Sequence, residues 1–200
     1  MTDIVAQVND WVAGNREECI RFLQDFISIP SPSGEEGDAA RFLAEKMNEF
    51  NYTTTCVDTL NDAMGTIKGT GGGRSLLLNG HIDHVPVGEM VDPYSGKIMD
   101  GDELGDHGEV IYGRAACDMK GAVAAMVLAG RAMNELGIRL KGDYMVTGVA
   151  FEEVGGAGTK STINDSKFLA DVVLIGEATN MQLALGHRGT MKFGVTVKGR

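Results

Sequence analysis

The chain has 200 residues, 43% of them hydrophobic and 23% charged, which is enough to bury a core and gives no sign of disorder or of a fibrous repeat. A net charge of -10, a pI near 4.8 and the lack of any Lys/Arg cluster exclude nucleic acid and anionic membranes as partners. No run of about 18 apolar residues occurs, and no basic segment leads into an apolar stretch at the start, so a cytoplasmic protein is expected. Cys19, Cys56 and Cys117 are odd in number, widely spaced and lack a Cys-x-x-Cys pair, so neither a disulfide framework nor a cysteine zinc site is expected. Cys117 reads as a small buried thiol.

In chain order, residues 3–28 read as one amphipathic helix, with Val5, Val8, Val12, Ile20, Leu23 and Ile27 apolar. Residues 35–50 read as a second, opened by a capping box of Ser33 and Glu36. Strand patterns follow at 52–57 and 63–68. The glycines of 69–74 lack the Gly-Lys-Ser/Thr ending of a phosphate loop and read as a turn. Leu76, Leu77 and Leu78 open a buried strand. Residues 93–109 form a surface excursion, and its acids are not a calcium loop, because Leu104 and Ile111 stand where oxygen ligands are needed. A strand at 110–112 leads to a helix carrying Ala122, Val123, Met126, Ala129, Ala132, Met133 and Leu136, with Gly137 as its C-cap. Strands are expected at 144–150, 171–175, 182–185 and, alternating along Met191, Phe193, Val195 and Val197, at 191–197. Alternating strands and helices indicate an α/β fold, a mixed and largely parallel sheet flanked by helices.

Four motifs carry the chemistry. In Gly80-His81-Ile82-Asp83-His84-Val85-Pro86, strand alternation puts His81 and Asp83 on one face, so that the carboxylate can accept the ring N–H and orient a metal-binding imidazole. Asp118 stands before the long helix, Glu152 and Glu153 follow one apolar strand, and Glu177 follows another. Each has a plain reading, as a strand-end histidine, an N-cap or a solvated acid. Together they describe a site at the carboxyl ends of a parallel sheet. His84, His107 and His187 read as solvated or capping residues.

At these residues the sequence resembles the M20 family of zinc peptidases and amidohydrolases, the group of acetylornithine deacetylases, succinyl-diaminopimelate desuccinylases and carboxypeptidase G2. The resemblance runs from about Phe22 to the last residue, and residues 28–35 are similar to the family's link between its first two helices. It implies that His81 and Glu177 bind one zinc, Asp118 bridges two, Glu153 binds the second, Glu152 is the general base and Asp83 orients His81. It also implies a cis peptide between Asp118 and Met119, a homodimer in the full-length form, and a small N-acyl amino acid or short peptide as substrate. Cobalt or manganese would suit the same ligands.

The resemblance further implies a chain about twice this length, with the second zinc's last histidine and a lid-domain histidine beyond Arg200. Residues 1–186 are then expected to be most of the catalytic domain and 187–200 the first strand of a lid or dimerisation domain. Alone, the 200 residues are expected to be inactive. The alternative is a non-catalytic α/β module that keeps the fold and binds a ligand without chemistry.

Overall fold

The computed structural model describes residues 3–164, 168–186, 188–189, 191 and 193–199. Helices α1 (Ile4–Gly14), α2 (Arg16–Ile27) and α3 (Gly37–Glu49) precede strands β1 (Thr54–Val57), β2 (Ala63–Ile67) and β3 (Leu76–His81). A surface excursion holds β4 (Ile98–Asp100) and β5 (Glu109–Ile111). Then come α4 (Gly121–Glu135), β6 (Tyr144–Val149), α5 (Ala157–Asn164) and β7 (Val172–Ile175).

The main sheet has the order β1-β2-β6-β3-β7. β6 and β7 both pair in parallel with β3, while β2 is antiparallel to both β1 and β6. All strands except β2 therefore run the same way, which is the mixed, largely parallel sheet the sequence describes.

Alternation builds two faces. Ala63, Ile67, Tyr144 and Val146 join Phe22, Phe26, Leu43, Met47, Val123 and Val127 in the main core, so α2, α3 and α4 cover one face. Met64, Leu77 and Met145 turn the other way and pack with Phe168. At Gly80 an added Cβ would lie 2.6 Å from Met119 Cε and 2.7 Å from Val123 Cγ2, so glycine is what lets the start of α4 close onto the end of β3.

Several sequence expectations are corrected. The helix at 3–28 is broken at Asn15, whose side-chain amide donates to Trp11 O at 2.8 Å; Gly14 and Asn15 are poor helix formers, and the local bond competes with continuation. The capping box does not form: the N-cap of α3 is Glu36 with no side-chain cap, and Ser33 Oγ instead donates to Asp83 Oδ2 at 2.6 Å. The excursion at 93–109 contains β4, paired antiparallel with β5. Residues 182–185 are irregular rather than a strand, and the described residues of 191–199 carry no strand assignment, with Met191, Phe193, Val195 and Val197 all exposed. A strand pattern makes no strand without a hydrogen-bonding neighbour. His187 lies outside the described residues. No helix among the described residues is long and apolar enough to cross a membrane.

Candidate metal centre

The acids gather at the carboxyl ends of the parallel strands. β3 ends on His81, the corner after β6 carries Glu152 and Glu153, and Glu177 lies two residues past β7. Asp118 sits in the single π-type turn of 116–120 that opens α4, entered through Ala115 in the left-handed region at φ +66°. The Asp118–Met119 peptide is cis, as the family resemblance implies.

These residues converge. His81 Nε2 lies 2.9 Å from Asp118 Oδ1 and 3.8 Å from Glu177 Oε1. Ligand atoms of His81, Asp118 and Glu153 lie within 4.8 Å of one another, and so do those of His81, Glu152 and Glu177. Two overlapping groups thus share the buried imidazole, and Glu152 stands within 4.8 Å of it beside Glu177. Neither glutamate's direction comes from strand alternation, because β6 has ended and residues 151–155 are bend and turn.

Asp83 works differently from the expectation. The acceptor of the His81 Nδ1–H is the Asp83 main-chain carbonyl, at 2.9 Å, with the carboxylate oxygen Oδ1 at 3.5 Å. That carboxylate has no exposed surface and accepts from Ser33 Oγ, Glu152 N and Glu153 N. Burial alone would raise its pKa, but His81 and these donors outweigh it and hold Asp83 below the ordinary carboxylate range.

Burial likewise disfavours a charged His81. The neighbouring Asp83, Glu177 and Asp118 prevail and push its pKa up to about 9. Both ring nitrogens face oxygen atoms, Nδ1 the Asp83 carbonyl and Nε2 the Asp118 carboxylate, and a proton on Nε2 would point at Asp118. A metal ion would take the place of that proton. Glu153 is raised by burial and by the negative charge of Asp118, Glu152 and Asp83, and Glu177 by burial and by that of Asp118, Glu152 and Glu153, with His81 opposing in both. One imidazole and several crowded oxygens around one point are a donor set that suits a small divalent cation, and such a cation would relieve the crowding.

A cavity of about 120 Å³ lies against Asp118 and Glu153, walled by His84, Val85, Cys117 and Arg114. Cys117 is exposed rather than buried, because the tight turn directs it outward. His84 is buried, not solvated: Nδ1 donates to Val85 O at 2.7 Å and Nε2 accepts from Ser31 N at 3.2 Å, so both nitrogens are occupied. His107 is exposed in its loop beside Asp102.

Sequence reasoning missed Lys120. It has no exposed surface, and its Nζ donates to Phe26 O at 2.9 Å and Ile29 O at 2.6 Å, tying the Asp118 turn to the end of α2. Burial lowers its pKa to about 7. A lysine two residues from a candidate ligand was the available signal. Glu36 and Asp62 were missed as well; both are fully buried acids beside the 150–153 corner.

Such a sheet-end site of one histidine and several acids is that of a metallohydrolase-type α/β domain. The model of peptidase family M20/M25/M40 matches residues 77–195, and the chain belongs to this family. It is 30% identical over 207 residues to an N-formyl-4-amino-5-aminomethyl-2-methylpyrimidine deformylase of Halalkalibacterium halodurans, covering 98% of this chain and 46% of the relative. It is 32% identical over 185 residues to a LysW-lysine/LysW-ornithine hydrolase of Saccharolobus islandicus, covering 92% and 46%. Human carnosine dipeptidase 1 shares the fold, with a TM-score of 0.71 at 18% identity over 86% of this chain and 41% of that one. The chain thus spans about half the length of the curated relatives it matches.

Proposed function

We propose that the full-length protein is a dinuclear zinc hydrolase that cleaves an amide bond in a small N-acyl amino acid or short peptide. The observation that carries this reading is the convergence on the buried His81 imidazole of Asp118 and Glu153 in one ligand group and of Glu152 and Glu177 in the other. One relative is by name a deformylase of an N-formyl compound and another a LysW-lysine/LysW-ornithine hydrolase, which supports the reaction class.

In this reading His81 and Glu177 hold one metal, Asp118 reaches both and Glu153 holds the other, with a further histidine supplied from outside these 200 residues. His84 is unsuited to that last role, since its two nitrogens are already engaged. Bound zinc would polarise the scissile carbonyl and acidify water. Glu152 would take the proton of the attacking water and deliver it to the leaving amine, while Asp83 keeps the imidazole of His81 aimed. The crowded acids argue against the non-catalytic module, because carboxylates gathered without a cation repel one another. The division at residue 186, the homodimer and the cytoplasmic location belong to the same proposal.

The test is metal analysis of the full-length protein together with hydrolysis of a panel of N-acyl amino acids and dipeptides. Glu152→Gln should keep the metal content and lower kcat by at least about 100-fold. A variant with wild-type turnover would remove Glu152 as the base.

A further inference from the structure

The corner that carries Glu152 and Glu153 is held in an unusual way. Consecutive main-chain N–H groups each end on a carboxylate: Ala150 N on Asp62 Oδ1 at 2.8 Å, Phe151 N on Glu36 Oε1 at 3.0 Å, Glu152 N on Asp83 Oδ1 at 3.0 Å, and Glu153 N on Asp83 Oδ2 at 3.2 Å. All three acids have no exposed surface. They reach the corner from separate parts of the chain, the start of α3, the turn before β2 and the loop after β3.

Local preference does not explain the corner. Phe151 lies at φ +58°, a region that a bulky aromatic residue seldom adopts, so the surroundings must enforce it. The enforcing groups are themselves unfavourable. Glu36 Oε2 and Asp62 Oδ2 are buried with no hydrogen-bond partner among the described residues. A buried unpartnered carboxylate oxygen is destabilising, and its presence at two places beside one corner calls for a role other than stability. Glu36 Oε1 also accepts from Gly34 N at 2.9 Å, and Ser33 Oγ reaches Asp83 at 2.6 Å, which links the acids and the corner into one unit.

We propose that Glu36 and Asp62 are positioning residues, which with Asp83 form a carboxylate cradle that fixes the direction in which Glu152 and Glu153 leave the main chain. This rests on the reading of Glu152 as base and Glu153 as metal ligand. Glu36 and Asp62 lie outside both ligand groups and act through the amides of Phe151 and Ala150. Displacing reacting groups by about 1 Å is enough to cost catalysis heavily, so a fixed corner has value at this point in the chain.

The test uses the full-length protein with Glu36→Ala, Asp62→Ala, Glu36→Gln and Asp62→Asn, and with Glu153→Ala as control. Zinc titration by calorimetry, kcat and KM on the best N-acyl substrate, and amide hydrogen exchange at 150–153 are measured on the folded variants. The alanine variants should weaken the zinc site that Glu153 serves and lower kcat by about 10- to 100-fold each, with KM and the zinc site of His81 and Glu177 unchanged. Exchange at 150–153 should quicken. The amide variants keep an acceptor oxygen and should recover all three properties. Residues that merely stabilise the fold would lower Tm and leave zinc affinity and kcat untouched, and that result overturns the inference. If Glu153→Ala itself leaves both zinc affinities unchanged, the metal-site reading falls, and the inference with it. A weakened Glu153→Ala beside unaffected alanine variants overturns the inference alone. Should the alanine variants not fold, Glu36→Asp, which keeps the charge and shortens the reach, serves the same comparison with the same outcomes.

Discussion

The interior and the β7 edge of the sheet treat one motif, an acid following an apolar strand, in opposite ways. At β3 and β6 the strands are buried, α4 lies on one face, and the functional side chains rest on Asp83, Ser33 and Lys120. At β7 every residue is exposed, from 37% at Val172 to 62% at Ile175, and Glu177 stands at the end of an uncovered strand. The chemistry of the motif is therefore carried by short-range sequence, while its rigidity depends on what packs around it. His81, Asp118 and Glu153 belong to a built wall, and Glu177 follows an edge strand that, among the described residues, pairs with β3 only.

The strongest way to break the contrast is Asp83→Ala. It strips the buried His81 of its neighbouring charge and leaves the amides of Glu152 and Glu153 without an acceptor. Urea unfolding should show a loss of about 3 to 5 kcal/mol. A loss below about 1 kcal/mol would mean that the β3 end is no better built than the β7 end.

A second prediction sharpens the contrast through pH. Burial, followed by Asp58 and Glu36, lifts the Asp62 carboxyl from 3.8 to about 7, against the stabilising hydrogen bond from Ala150. Because the folded form holds this proton more tightly than the unfolded form, its contribution falls as pH rises from about 4 to about 7, and the full penalty stands above that. Asp62→Asn should flatten stability across this window and be more stable at pH 8 by about 2 kcal/mol, roughly half of what the whole shift converts to. Equal stability of the two proteins at pH 8 would refute the assignment.

The smallest effect is expected at β7. Val146→Thr in β6, where the side chain is 1% exposed, should cost about 2 kcal/mol by burying a hydroxyl. The same change at Val173, which is 53% exposed, should stay within about 0.5 kcal/mol. Thermal unfolding of the two variants of this 200-residue chain compares them directly, and similar costs would show that β7 is packed after all.

The sheet strands and α4 were legible because their residues satisfy one strong pattern each, a buried β run at 76–81 and 144–149 and a helical stripe at 121–135 closed by Gly137 at φ +67°. The convergence of His81, Asp118, Glu153 and Glu177 was legible through chain order, since acids at the ends of parallel strands have to meet. What failed did so where a side chain had two uses. Ser33 and Glu36 match a capping pattern, yet Asp83 and the Phe151 amide lie within reach in the fold and take them instead. Glu36, Asp62 and Lys120 were hidden because a charged residue in a sequence reads as solvated, and only long-range packing reveals it as buried.

Lys120 has a practical consequence for chemical labelling. Amine-reactive reagents reach surface lysines in the native protein, whereas the ε-amine of Lys120 is sealed under Phe26 and bonded to two carbonyls. It can be labelled only when the turn bearing Asp118 lifts away from α2. Its rate of modification, read by mass spectrometry, is therefore a clock for opening at that turn, set against the fast background of the exposed lysines.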